Sequence, residues 1–184
     1  GVVTTVNPTS TAEELARQLK AAKATRLITA PPFLATAKEA AAEVGIEEVV
    51  VFGEAEGATA FASLFGDPAK APEVAIDAAN DLVALPFSSG TTGLPKGVML
   101  THRNLVANVA QAKAALAVKD GSVAMGVLPF FHIYGMTVIM NLALSEGSTV
   151  VTMPRFDLPL FLELHQKHGV THSFVVPPIV LALA

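Results

Sequence analysis

The stretch Ser88-Ser89-Gly90-Thr91-Thr92-Gly93-Leu94-Pro95-Lys96-Gly97 decides how this chain of 184 residues is read. It sets four hydroxyls, three glycines and one lysine between two apolar runs, Leu82–Phe87 and Val98–Leu100. Glycine lets a backbone turn tightly and brings its N–H groups close to an anion. The hydroxyls of Ser88, Ser89, Thr91 and Thr92 can donate to phosphate oxygens, and Lys96 can neutralise charge at the same place. A loop that grips a polyphosphate needs these residue types. Composition alone also fits a plain hairpin connection rich in Ser, Thr and Gly.

Spacing excludes two phosphate-binding loops. The Walker A pattern needs four residues between its glycines, then Lys and Ser or Thr directly after the second. Here Gly90 and Gly93 are separated by two residues and Lys96 comes three later. The dinucleotide fingerprint needs alternating glycines that open a helix. The residues after this loop, Val98-Met99-Leu100, read as a strand. The segment is therefore a strand–loop–strand turn.

Working outward from the loop, strands alternate with helices. On the amino side, Val2–Val6 reads as a strand ended by Asn7-Pro8. Ser10 and Glu13 then fit a capping box. Leu15 and Leu19 lie one turn apart on the helix behind it. Arg26–Thr29 is a short strand, and Phe33–Val44 is an alanine-rich helix closed by Gly45. Glu48–Phe52 is a strand, and Gly53–Asp81 is a surface connection with one short helix. On the carboxyl side Thr101 caps a helix whose face carries Leu105, Val109, Ala112 and Leu116. Val123–Leu128 is a strand leading to Pro129, Tyr134–Leu144 is helical, and Thr149–Thr152 is a strand. Asp157 caps a helix that ends near Gly169, with Lys167 and His168 suited to its carboxyl end. Thr171–Val176 is the last strand. This alternation predicts an α/β fold, a layered sheet with flanking helices.

Composition narrows the function classes. The net charge of −4 gives no electrostatic case for nucleic acid or an anionic membrane. No cysteine is present, which excludes disulfides, a thiolate nucleophile and cysteine zinc clusters. That fits a cytoplasmic location. Charged residues are only 15% of the chain, against about 25% in an average globular protein. Residues 121–145 hold no Asp, Glu, Lys or Arg, a length worth testing as a membrane span. Pro129, His132, Asn141 and several glycines interrupt it, so two buried elements joined by a turn fit better. No signal-peptide pattern opens the chain.

Ser88 to Gly97, running on into Thr101-His102-Arg103-Asn104-Leu105, resembles the phosphate-loop signature of the adenylate-forming enzymes. That family includes acyl-CoA synthetases, 4-coumarate–CoA ligases, firefly luciferases and peptide-synthetase adenylation domains. The resemblance runs along nearly the whole chain. Thr4-Thr5-Val6-Asn7-Pro8 is similar to the family's early segment. Leu128-Pro129-Phe130-Phe131-His132-Ile133-Tyr134-Gly135 and Val175-Val176-Pro177-Pro178-Ile179-Val180-Leu181-Ala182 look most like the 4-coumarate–CoA ligase branch. The fold this implies is part of an AMP-binding amino-terminal domain. Residues 1–120 would form a first sheet region with the phosphate loop, and residues 121–184 the start of a second.

The resemblance implies a two-step reaction. A carboxylate attacks the α-phosphate of ATP and releases pyrophosphate, leaving an acyl-adenylate. The thiol of coenzyme A then displaces AMP. Ser88, Ser89, Thr91 and Thr92, with backbone N–H groups at Gly90 and Gly93, would hold the β- and γ-phosphates. Lys96 would offset charge on the leaving pyrophosphate, since such transfers depend on positioning and charge stabilisation. His132 would sit beside the acyl carboxylate and the adenylate as a positioning group. Tyr134 would line the acyl pocket with Ile133 and Thr137, and Phe174 would reach it from the last strand. Packing within a helix is the competing account of Ile133, Tyr134 and Thr137. Arg155 would lie near coenzyme A phosphates, with pairing to Asp157 the competing account. Mg²⁺ would be carried mainly by ATP, and no His, Asp or Glu cluster has metal-ligand spacing.

The family's adenine-binding motif, Thr-Glu metal contact, ribose-binding Asp, hinge and small carboxyl-terminal domain with its lysine would all come after Ala184. The chain therefore reads as a piece of a larger enzyme, inactive alone, with apolar ends suited to self-association. Competing functions are a fatty-acyl-CoA synthetase or peptide-synthetase adenylation piece, and a non-catalytic phosphate-binding module. A P-loop hydrolase is disfavoured by the loop spacing.

Overall fold

A computed structural model describes residues 1–88 and 95–184. They fall into two compact units, Gly1–Asp77 with Asp81–Met99, and Ala78–Asn80 with Leu100–Ala184. Ser89, Gly90, Thr91, Thr92, Gly93 and Leu94 lie outside the described residues.

The first unit begins with α1 (Ala12–Ala22), β1 (Leu27–Thr29), α2 (Leu34–Val44), β2 (Val49–Val51) and β3 (Thr59–Ala60). Strands β1, β2 and β3 form a parallel sheet in that order. Leu15, Ala16 and Leu19 of α1 pack with Ala37, Ala40 and Ala41 of α2. Small side chains at the helix contact let the two backbones approach, and burial of this apolar surface drives the docking. Helix α2 ends at Gly45 with φ 76°, as its sequence predicts.

The capping box of α1 lies one residue later than expected. Thr11 Oγ1 accepts from the Glu14 amide at 3.2 Å, and Glu14 Oε2 accepts from the Thr11 amide at 2.9 Å. The amide of Ser10 is bonded instead to the Asn7 carbonyl at 3.0 Å, closing the turn at Pro8. The expected first strand is reduced to one parallel bridge, Val3 to Ala84. Side chains replace its remaining ladder bonds. Thr4 Oγ1 donates to the Leu85 carbonyl at 2.8 Å, and Gln18 Nε2 donates to the Thr5 carbonyl at 2.9 Å. The unit closes with β4 (Leu82–Ala84), β5 (Phe87–Ser88) and β6 (Lys96–Gly97).

The second unit opens with β7 (Leu100–Thr101) and α3 (His102–Leu116). Thr101 caps α3 as predicted, its Oγ1 accepting from the Asn104 amide at 3.2 Å. Leu105, Val109, Ala112 and Leu116 are half-buried on one face. Next come β8 (Val123–Gly126), a π-helical segment (Gly135–Asn141), α4 (Leu142–Ser145), β9 (Thr149–Thr152), α5 (Leu158–His168), β10 (His172–Ser173) and α6 (Pro177–Leu183). Strand β8 is central in a parallel sheet of order β10-β8-β9. Its core joins Met125, Val127, Met153, Phe161 and Ile179. Asp157 caps α5 through the Leu160 amide at 3.0 Å, and Gly169 ends it at φ 59°. Both agree with the sequence.

Two elements of the second unit also differ from expectation. The last strand stops at Ser173, and the apolar run behind it is helix α6. Proline has no N–H to give a strand ladder but suits the first turn of a helix, so Pro177 and Pro178 turn the chain. The expected helix over 134–144 adopts π geometry across Gly135–Asn141. Among the described residues no helix is long and apolar enough to cross a membrane.

Candidate active site

The stem of the phosphate loop is an antiparallel pair. Phe87 opposes Gly97, and Ser88 opposes Lys96. Directly opposed residues put their side chains on the same face. Ser88 and Lys96 therefore leave one face together, and both are exposed. Lys96 makes no ion pair among the described residues. On the other face a Cβ at Gly97 would meet Phe87 Cζ and Leu85 Cδ1 at 3.3 Å, so the missing side chain makes room for both. The Val98 amide continues the ladder to the Pro86 carbonyl at 2.8 Å. The strand after the loop is thus Lys96–Gly97 and not the expected Val98–Leu100. The arrangement holds a cation and a hydroxyl side by side at the root of the loop.

In the second unit, register aligns the carboxyl ends of three parallel strands. Met125 is level with Val151 and Ser173, and Gly126 with Thr152. The segments carrying His132 to Tyr134, Arg155 and Phe174 all leave from this edge. In open α/β sheets, ligands bind outside the carboxyl ends of the strands. Family resemblance would put His132 to Tyr134 and Phe174 at the acyl group and Arg155 at coenzyme A, and the topology brings their segments to one edge.

The turn after β8 is fixed by backbone contact. The His132 amide donates to the Pro129 carbonyl at 3.2 Å, and the Met136 amide donates to the His132 carbonyl at 2.9 Å. A Cβ at Gly135 would run into the Pro129 carbonyl oxygen and lie 2.8 Å from its carbon. A Cβ at Gly126 would meet Phe130 Cζ at 3.1 Å, so that ring folds back over the strand. This turn holds His132 exposed, Ile133 exposed and Tyr134 half-buried. The Tyr134 amide donates to His132 Nδ1 at 3.2 Å.

The other candidates stand in different surroundings. Thr137 is buried and donates to the Ile133 carbonyl at 2.7 Å, spending its proton within its own helix turn. Phe174 is half-buried and stacks on His172 with centroids 6.2 Å apart. Arg155 is exposed and makes no ion pair with Asp157, whose carboxylate caps α5.

One constellation is not visible in the sequence. His165 Nδ1 lies 2.7 Å from the Phe161 carbonyl, and its Nε2 lies 2.6 Å from Ser173 Oγ. A carbonyl only accepts, so Nδ1 carries a proton there. The ring also packs on Phe161 at 4.1 Å. This clamp ties α5 to β10 immediately before Phe174. The helical spacing from Phe161 to His165 is readable, but the bond to Ser173 joins two elements. Among the described residues no group of three His, Asp or Glu side chains could hold a metal ion.

The family model described as AMP-binding enzyme matches residues 1–184. The chain is 46% identical to 4-coumarate–CoA ligase 5 of Oryza sativa subsp. japonica and 43% identical to 4-coumarate–CoA ligase 2 of Petroselinum crispum. All of this chain is covered in both matches, and 34% of each relative. The chain thus spans about a third of the length of the curated relatives it matches. A solved long-chain-fatty-acid–CoA ligase from Archaeoglobus fulgidus superposes with a TM-score of 0.87 at 30% identity, over 98% of this chain and 36% of that one. Matched from its first residue to its last, and folded as the open sheets of adenylate-forming enzymes are folded, the chain belongs to the AMP-binding enzyme family.

Proposed function

We propose that this chain contributes the phosphate-binding and carboxylate-binding parts of an ATP-dependent acid–thiol ligase acting on a hydroxycinnamate-like acid. The observation that carries the reading is the 46% identity, across every part of the chain, to a 4-coumarate–CoA ligase. The chemistry proceeds in two displacements. A carboxylate oxygen attacks the α-phosphorus of ATP, the bond to the bridging oxygen breaks, and pyrophosphate leaves. The sulfur of coenzyme A then attacks the acyl carbonyl, and AMP leaves as the thiol loses its proton.

Each step asks for charge and position more than for covalent help from the protein. Lys96 and Ser88, on one face of the hairpin, meet the β- and γ-phosphates with Ser89, Gly90, Thr91, Thr92 and Gly93. Lys96 offsets the negative charge that grows on pyrophosphate as it departs. His132 orients the acyl carboxylate at the sheet edge, and Tyr134 supplies ring area and a hydroxyl to the acyl group. Arg155 pairs with a phosphate of coenzyme A through its planar fork of donors. Its freedom from Asp157 supports that role. The described residues do not fit a metal centre of their own. Mg²⁺ would travel with the ATP phosphates.

The test is a chimera in which residues 1–184 replace the matching third of the rice ligase. Hydroxycinnamate-dependent exchange of pyrophosphate into ATP is the expected result. A folded chimera without exchange, beside an active rice parent, would remove the proposal. Two substitutions in that chimera assign roles at the sheet edge. Tyr134→Ala should reorder a panel of hydroxycinnamates and aliphatic acids by exchange rate, and an unchanged order would return Tyr134 to helix packing. Arg155→Ala should raise the KM for coenzyme A about tenfold while exchange stays near the parent rate. Equal loss in both assays would make Arg155 a structural residue.

A further inference from the structure

We infer that the bond between His165 and Ser173 sets acyl specificity, by fixing the depth at which Phe174 stands at the carboxyl edge of the β10-β8-β9 sheet. The pair touches no reacting atom and acts through Phe174, so both are positioning residues. The role rests on the proposed reading of this edge as the acyl site.

Strand β10 needs such a hold. It has two residues, lies at the edge of the sheet and, among the described residues, pairs with β8 alone. Phe174 is the first residue past its end. Successive side chains along an extended chain point to opposite faces. Ser173 is level with Met125, which joins Phe161 in the core, so Ser173 faces α5. Phe174 faces the other way and stacks on His172, with centroids 6.2 Å apart and planes at 27°. Val175, the next residue, packs against the core again.

The hold reaches Ser173 from inside the fold. Phe161 is buried and meets Phe156 edge-on at 5.5 Å. The His165 ring packs on Phe161 at 4.1 Å, and its Nδ1 donates to the Phe161 carbonyl at 2.7 Å. These two contacts leave Nε2 aimed at Ser173 Oγ, 2.6 Å away, whichever of the two donates. Ser173 is exposed, and its hydroxyl would find water without His165, so the bond adds position more than stability. On the opposite face, Thr171 Oγ1 accepts from the Val123 amide at 3.0 Å and lies 2.8 Å from His172 Nδ1. The Phe174 ring is thus backed by α5 and faced by His172.

A ring held at one depth selects by shape. It offers a flat aryl acid a fixed stacking or edge contact, which a flexible aliphatic chain cannot match. A ring free to shift would fill space around either acid and tell them apart less well.

The experiment compares Ser173→Ala, His165→Phe and the double variant in the rice chimera by pyrophosphate exchange. The ratio of kcat/KM for 4-hydroxycinnamate to kcat/KM for hexanoate should fall about tenfold, with the KM for ATP unchanged. The double variant should fall no further than either single one, because residues joined by one bond do not add. Ser173→Thr keeps the hydroxyl and should restore the parental ratio. A parental ratio in Ser173→Ala, additive losses in the double variant or no rescue by Ser173→Thr overturns the inference. So does a KM for ATP that rises with the KM for the acid, since that marks general damage.

A second measurement, on the isotope-labelled 184-residue chain, separates the clamp from the ligase reading. The aromatic carbon–proton signals lost in Phe174→Leu are those of Phe174. Ser173→Ala should shift or broaden them, and Ser173→Thr should leave them in place. Unmoved signals in Ser173→Ala overturn the clamp even in an active chimera. Moved signals beside a chimera without exchange sink the ligase reading, and the specificity role with it, while the clamp stands.

Discussion

Lys96→Ala in the rice chimera is expected to lower hydroxycinnamate-dependent pyrophosphate exchange about a hundredfold. The lysine sits opposite Ser88 at the root of the loop, exposed and free of any ion pair among the described residues. Among the described residues no ion pair depends on its charge. A contact that strengthens as charge builds on a leaving group is worth about 3 kcal/mol in comparable sites. Lys96→Arg keeps the charge but changes the reach, and should recover part of the rate. The thermal midpoint of Lys96→Ala should match the parent, which separates lost chemistry from lost structure. Full exchange activity in Lys96→Ala would remove the residue from the reaction.

Gly135→Ala is expected to destabilise the second unit by about 3 kcal/mol or more. The added methyl would collide with the Pro129 carbonyl, which is backbone and cannot rotate away. Relief requires opening the turn, and the turn holds the His132 amide, the His132 carbonyl and the start of the π-helical segment. Urea unfolding of the 184-residue chain reads the loss directly. A parallel Gly45→Ala change is strained for a different reason, since that glycine has φ 76° with open space around it. Its cost should be nearer to about 1 kcal/mol. A parent-like urea midpoint for Gly135→Ala would mean that the turn is not closed as described.

Local signals in the sequence translated well into structure. Thr101, Asp157, Gly45 and Gly169 cap helices because each satisfies bonds within a few residues of itself. The capping box of α1 shows the limit of that reasoning. Ser10 with Glu13 and Thr11 with Glu14 have the same spacing, and only the turn made by Asn7 decides between them. Pairing across distance was less legible. Val2–Val6 has strand composition, yet it gains a single bridge because the side chains of Thr4 and Gln18 take the carbonyls a ladder would use.

The candidate site divides along the same line. The strand–loop–strand character of the phosphate loop was readable because its residues are contiguous, but its stem was misplaced, since the hairpin register pairs Ser88 with Lys96. The gathering of His132, Arg155 and Phe174 at one edge depends on the register of three strands far apart in the chain. Their identity came from family resemblance, and their common placement from topology. The π geometry over 135–141 has no sequence signal in an apolar run without helical period, and neither has the bond from His165 to Ser173.

The most direct test of the central claim is mass spectrometry of the chimera's products. With ATP and 4-hydroxycinnamate but no coenzyme A, the predicted product is the hydroxycinnamoyl adenylate. Adding coenzyme A should convert it to the thioester with release of AMP. A folded chimera that makes neither species, while the rice parent makes both, would contradict the account.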